Sequence, residues 1–377
     1  MPVRRLPVRP DLDQLKHQAK DLLRSYRDGD AAAHEAFKEF HPDPIAPSDA
    51  KLADAQLVIA RWYQASSWPR LVQAVGMATA IWNDDAEAVR TLIGRNPHLL
   101  TEQVLIRADS NWGPPMTYAA NLGRDRILRA LGAPGATDFA WAVDRAAQQG
   151  RVGPAGMLYE LGGRPPVPMD ALGGPAYTLS AEGTALLLSL GAQVRDSTGT
   201  LLAPVSVVLE TDSRKPAAKH AILRLYEEHG LEYPDTPVMA LHRGRIDLLE
   251  RHLRSDPNLL SRTFTHREIY PAEMGCRDPL DATVGTPLGG TTLLHMCVDY
   301  DELEIARWLL EAGADPNARA AVGASGFGGY TPLFNTVVSQ PNFWMNYGKR
   351  GPYTAPFTEL LLQYGAEPNV RASIWKR

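Results

Sequence analysis

The clearest periodic pattern in the chain runs through residues 291–320, "TTLLHMCVDYDELEIARWLLEAGADPNARA". Leu303, Ile305, Ala306, Leu309 and Leu310 recur at helical spacing, so the stretch predicts a helix with one apolar stripe. A shorter helix precedes it, with Thr292 able to cap it through its hydroxyl and Leu294 facing the core beside His295. Gly313 then ends the second helix in the left-handed conformation that glycine tolerates, and Pro316 blocks re-entry. "TPLFNTVVSQ" (331–340) with "TELLLQYGAEPNVR" (358–371) repeats this plan, with Phe334 where the first copy has His295. Upstream the pattern weakens in steps. "VMALHRGRIDLLERHLRSDPNLL" (238–260), "DRAAQQGRVGPAGMLYELGGRP" (144–165) and "TYAANLGRDRILRAL" (117–131) keep the helix–turn–helix spacing around Gly244, Gly150 and Gly123. "AILRLYEEHGLEYPD" (221–235) and "ALLLSLGAQVRD" (185–196) read as second helices with degenerate partners, and "AIWNDDAEAVRTLIGRNPHLL" (80–100) as the first pair.

The 291–320 stretch closely resembles the ankyrin repeat, and His295 stands at the place of that motif's structural histidine. About eight such helix pairs can be traced, more than the three or so that a solenoid needs for stability. No pair buries its apolar face alone, so neighbours must stack. The expected fold class is all-α, an ankyrin-repeat solenoid. An α/β fold would need β-branched runs between the helices, and only "APVSVVLET" (203–211) offers one, which fits a helix about as well.

Residues 1–76 lie outside the repeat pattern. Leu12, Leu15, Ala19, Leu22 and Tyr26 form one face of an amphipathic helix that ends near Gly29, and two further helices follow, the last ending at "SSWPRL". The "LADAQLVIAR" helix and "SWP" turn resemble an N-terminal segment of a set of bacterial ankyrin-repeat proteins. The expected division is therefore a helical cap over 1–76 and a repeat array over 77–377. Trp62, Tyr63 and Trp68 are expected to pack within the cap, covering the end of the stack.

Insertions in a solenoid map to loops and often to the binding face. Thr292 to Gly313 spans 21 positions and Thr331 to Gly365 spans 34, so the last pair holds 34 − 21 = 13 extra residues near 341–353. They carry Phe343, Trp344, Tyr347 and Tyr353. Between the turns at Gly244 and Asp301 lie 57 positions, against about 33 for an uninterrupted repeat, an excess of about 24. That excess falls in the 263–288 finger, which holds His266, Arg267, Glu268, Tyr270, Glu273, Cys276 and Asp278. A Gly-rich finger at 321–330 adds Phe327 and Tyr330. The aromatic loop has two readings, a partner or ligand surface built on interface-prone Trp and Tyr, or local packing over the end of the stack.

Composition narrows the chemistry. A formal net charge of −4 gives no electrostatic footprint for nucleic acid, and "SRKPAAKH" (213–220) is a basic patch without interleaved aromatics. Two cysteines, Cys276 and Cys297, exclude a disulfide framework and fit a reducing compartment. The N-terminus lacks the apolar core of a signal peptide, and no uncharged run reaches the roughly 18 residues of a membrane span, so a cytoplasmic, non-membrane protein is expected. No GxGxxG follows a strand, and neither GxxxxGK[ST], GxSxG nor HExxH occurs. "HRE" (266–268) matches no zinc spacing; His242 and His252 read as exposed helix residues. "WNDDAE" (82–87) and "DYDE" (299–302) fall at helix corners, where acids favour the following helix N-terminus, so no metal or other cofactor is expected. The leading reading is a non-catalytic module that binds a protein through its groove and C-terminal insertions. The alternative is an enzyme or small-molecule binder, with His266, Glu268, Tyr270 and Trp344 converging between the finger and the aromatic loop.

Overall fold

The computed structural model describes residues 2–132, 135–202, 204–211, 214–277, 288–323, 326, 328–338 and 355–373. Among these the chain is all-helical. Extended pairing is confined to isolated bridges at Arg195–Leu201, Phe264–Thr291 and Gly328–Ser373. Two compact units are present, one of Met1–Ala146 with Arg151–Pro165 and one of Ala147–Gly150 with Pro166–Arg377.

The first unit opens with three helices, α1 (Leu12–Arg27), α2 (Ala31–Phe40) and α3 (Leu52–Trp62), that pack on one another. Asp11 caps α1 by accepting from the Asp13 and Gln14 amides, and the predicted apolar face buries Leu15, Ala19 and Tyr26. Trp62 stacks on Phe40 at 5.7 Å between centroids, donates from Nε1 to the Pro2 carbonyl at 2.9 Å and carries the Arg4 guanidinium over its ring. Tyr63 is buried beside it, and Trp68 is half-buried. The "SWP" turn starts α4 (Trp68–Trp82): Ser67 accepts from the Arg70 amide, and Pro69 sits in the first turn, where its missing N–H costs nothing. Then come α5 (Ala86–Arg95), α6 (Pro115–Leu122), α7 (Asp125–Gly132), α8 (Phe139–Gln148) and α9 (Val152–Leu161). Helix α4 packs against α6, α5 against α7, and α7 against α9, so equivalent helices of successive pairs stack.

The second unit continues the plan with α10 (Gly173–Thr178), α11 (Ala181–Ser189), α12 (Val205–Glu210), α13 (Pro216–Glu228), α14 (Pro237–His242) and α15 (Ile246–Ser255). A short α16 (His266–Ile269) lies in the finger, followed by α17 (Leu293–Tyr300), α18 (Leu303–Glu311), α19 (Pro332–Val338) and α20 (Pro356–Gln363). Here α10 packs on α12, α11 on α13, α14 on α17, α17 on α19 and α18 on α20. Residues 205–210, the one β-branched run, are the helix α12. The predicted stripe of α18 buries Ile305, Ala306, Leu309 and Leu310, and Gly313 follows it at φ +100°. His295 is wholly buried: its Nδ1 accepts from the Thr292 hydroxyl at 2.9 Å and its Nε2 donates to the Tyr330 carbonyl at 3.1 Å. The ring thus ties its own helix start to the next connection, and burial pushes its pKa down to about 4.

Candidate functional site

The site is built from the ends of α12, α13, α14, α17 and α18 and from the part of the finger that crosses them, all within the second unit. The finger leaves α15 through the 3₁₀ turn Pro257–Leu260. Phe264 is buried and anchors it: its amide donates to Thr291 at 2.9 Å, and its carbonyl accepts from Gly290 at 2.6 Å. Thr265 starts α16 with a reciprocal cap. Its Oγ1 accepts from the Glu268 amide, while Glu268 accepts from the Thr265 amide at 2.7 Å and from Arg262 at 2.5 Å. Beyond Pro271, the 3₁₀ turn Ala272–Met274 buries Met274 and brings Cys276 and Arg277 to α12. There the Arg277 amide donates to Glu210 at 2.8 Å.

Beneath this segment lies a cluster of buried polar side chains. Lys219 on α13 is 4% exposed and His242 on α14 is 0% exposed. The Lys219 Nζ lies 2.8 Å from His242 Nδ1 and 4.1 Å from the centre of the Tyr300 ring on α17. His242 Nε2 donates to the Ile269 carbonyl of the finger at 3.0 Å, so Nδ1 is the acceptor facing Lys219. The Tyr300 hydroxyl donates to that of Tyr270 at 2.7 Å. Arg214 pairs with Asp299 at 3.2 Å, and His220 with Glu302 at 2.7 Å.

The last two pairs run from the α12–α13 pair to the α17–α18 pair and bypass α14–α15. Solenoid repeats ordinarily touch only their neighbours. Gly244, in the turn after α14, makes the bypass possible: the place a Cβ would take there is filled by the His220 ring. It also holds φ +66°, a conformation glycine adopts at no steric cost.

Burial dominates the electrostatics. It lowers the Lys219 pKa to about 7, with Glu302 pulling the other way. It pushes His242 well below the usual imidazole range, and the Lys219 charge adds to that. Burial raises both cysteine thiols and the Tyr270 and Tyr300 hydroxyls, so these groups stay protonated near neutrality. Lys219 and His242 spend their polarity on each other and on the finger, which makes the cluster a fastening for residues 263–277.

Of the residues singled out in the sequence, His266 and Tyr270 lie together, with ring centroids 5.1 Å apart. His266 donates from Nε2 to the Arg277 carbonyl, Tyr270 turns to Tyr300, and Glu268 is held in the cap of α16. Tyr330 is buried, and its carbonyl serves His295. Phe327, Phe343, Trp344, Tyr347, Tyr353 and Asp278 lie outside the described residues. One expectation is overturned. His242 is enclosed rather than exposed, because the finger closes over the end of α14 and supplies Ile269 as its partner. His252 is partly covered, with 18% of its side chain exposed. Of the acidic corners, Asp85 caps α5 by accepting from the Ala88 amide, whereas Asp299 and Glu302 go to ion pairs. No group of three or more His, Cys, Asp or Glu among the described residues is placed to hold a metal ion.

Sequence reasoning missed Lys219 as a core residue. The signal was present: Lys219, Ile222, Leu223 and Tyr226 share one helical stripe, and all four are buried. Arg214, His220 and Glu210 carried no comparable signal, since their partners lie far away in the chain.

Comparison with known proteins agrees with the geometry where the repeat is cleanest. Residues 289–321 match the family model of the ankyrin repeat. The chain thus carries an ankyrin repeat, set in a stack of helix pairs. No curated protein matches the chain. Among solved structures it is similar to the crystal structure of the human ASB11 ankyrin repeat domain, at 19% identity over 68% of this chain and 86% of that one. The TM-score of that match is 0.25. No helix among the described residues is long and apolar enough to cross a membrane.

Proposed function

We propose that this chain is a protein-binding module that takes a protein partner along its ankyrin groove, with the C-terminal insertions adding specificity. Ankyrin repeats generally mediate protein–protein interaction, and the observation that carries the reading is the ankyrin repeat at 289–321 preceded by a long finger held over three helix ends. His266 and Glu268 on the finger, with Phe327 in the next connection, are the proposed contacts near it. Phe343, Trp344, Tyr347 and Tyr353 are the proposed anchors of the last insertion, where Trp and Tyr give large contact area at low entropic cost. Residues 1–76 act as the N-terminal cap, covering the apolar face that the first helix pair would otherwise expose. Two thiols, both free and buried, suit a reducing cytoplasm.

The test is affinity capture with the full chain and with a variant lacking 341–353, each checked for helix content by circular dichroism. A partner recovered by the full chain and lost from a folded variant supports the reading. Equal recovery removes the loop from the site, and no specific recovery by the full chain rejects the function.

A further inference from the structure

The 263–277 segment is fastened to three helix ends by polar contacts: Glu210 of α12 to the Arg277 amide, His242 of α14 to the Ile269 carbonyl, and Tyr300 of α17 to Tyr270. The middle contact tolerates only one protonation state of its imidazole. We propose that residues 263–277 form an acid-released strap, which stays down while His242 is neutral and lifts when His242 accepts a proton.

The reason is the occupancy of both ring nitrogens. Nε2 already donates to the Ile269 carbonyl at 3.0 Å, so an added proton must go to Nδ1. Nδ1 faces Lys219 Nζ at 2.8 Å, which would set donor against donor and cation against cation in a place closed to water. The surrounding groups do not relieve this. On and before α13 stand His220 and Arg214, on and after α17 stand Asp299, Tyr300 and Asp301, and Glu302 begins α18. The strap brings Tyr270, Cys276, His266 and Arg267, and α12 brings Glu210. Asp299 is engaged by Arg214 and Glu302 by His220, and the face of Tyr300 is taken by Lys219 itself.

Lys219 cannot withdraw easily, because its stem lies on the buried stripe of α13 with Ile222, Leu223 and Tyr226. The remaining movement is for the His242 ring to leave its site, which breaks the bond to Ile269 and frees the middle of the strap. Burial and the Lys219 charge both oppose protonation of His242, so release belongs in acid, below the usual imidazole range. Acid release holds whether or not the groove takes a partner.

Amide hydrogen exchange of the full chain, read by mass spectrometry and corrected for intrinsic rates, tests the strap. Between about pH 7.5 and about pH 4.5, peptides within 263–277 should lose about tenfold or more of their protection beyond whatever α17 and α18 lose. His242→Gln retains a donor for Ile269 and an acceptor for Lys219 but does not titrate, so its strap should stay protected at both pH values. The same acid loss in His242→Gln as in the wild type, or a loss in the strap that only tracks α17 and α18, overturns the proposal. Should His242→Gln already expose the strap near neutral pH, Lys219→Met decides. It keeps the imidazole and removes the opposing cation, and an undiminished acid loss in that variant overturns the proposal.

Discussion

Replacing Gly244 by Ala tests whether the bypass contact between the α12–α13 and α17–α18 pairs holds the second unit together. The added Cβ meets two penalties. The first is local: φ is +66°, and the left-handed region costs a residue with a Cβ about 1–2 kcal/mol. The second is remote, because the Cβ would stand where the His220 ring now lies, and the ring must move off Glu302. The Glu302 side chain is only 5% exposed, and leaving it without its partner costs about 1–3 kcal/mol. Together these give a loss of about 2–5 kcal/mol, or a drop in melting temperature on the order of 10 °C for a unit of this size. Thermal denaturation followed by circular dichroism reads the loss. The double-mutant cycle with His220→Ala then separates its causes. Once His220 is gone, Ala at 244 should cost only the local 1–2 kcal/mol or so, making the two changes less than additive by about 1–3 kcal/mol. Strict additivity, or a loss well under about 1 kcal/mol for Gly244→Ala alone, would refute the bypass argument.

Burial lowers the Lys219 pKa from 10.5 to about 7, so between these values the unfolded chain holds the proton that the folded chain has given up. Stability therefore rises with pH above about 7, by up to about 1.4 kcal/mol per unit for this group, until the cysteines and tyrosines, whose pKa values burial raises, pull the other way above about 9. Lys219→Met should flatten that rise in denaturant titrations at a series of pH values; an unchanged slope would show that Lys219 is not the group responsible. His295 is likewise held neutral, with its pKa lowered from 6.5 to about 4. Its contribution is complete above about pH 6.5 and is lost as pH falls toward 4, about 3 kcal/mol in all. Replacement by Gln should lower stability at neutral pH and remove that part of the acid dependence; an acid limb identical to the wild type's counts against the assignment.

Much of the helical order was legible because it is set by near neighbours. The Thr292–His295 start, the α18 stripe and the Ser67-Trp68-Pro69 turn are local signals, and each forms as its residue types require. The finger was legible as excess length between Gly244 and Asp301, and Tyr270 within it does reach the polar cluster. The state of His242 was not. Its own helix is too short to show an exposed face, since Val238, Met239, Ala240, Leu241 and His242 are all buried. Lys219 was half legible, sitting on an apolar stripe inside a stretch that otherwise reads as a basic surface.

Periodicity, caps and turn residues therefore determined from the sequence alone that this chain is a succession of short helix pairs carrying an ankyrin repeat. These signals act over a few residues, and backbone hydrogen bonding within a helix answers to nothing more distant. The tertiary structure alone decided which polar side chains would be enclosed and by whom. His220 meets Glu302 across 82 positions and Arg214 meets Asp299 across 85, in an order set by how the pairs stack and by the room left at Gly244. A buried charge takes whichever partner the fold brings within about 3 Å of it, and sequence neighbours do not reveal that partner.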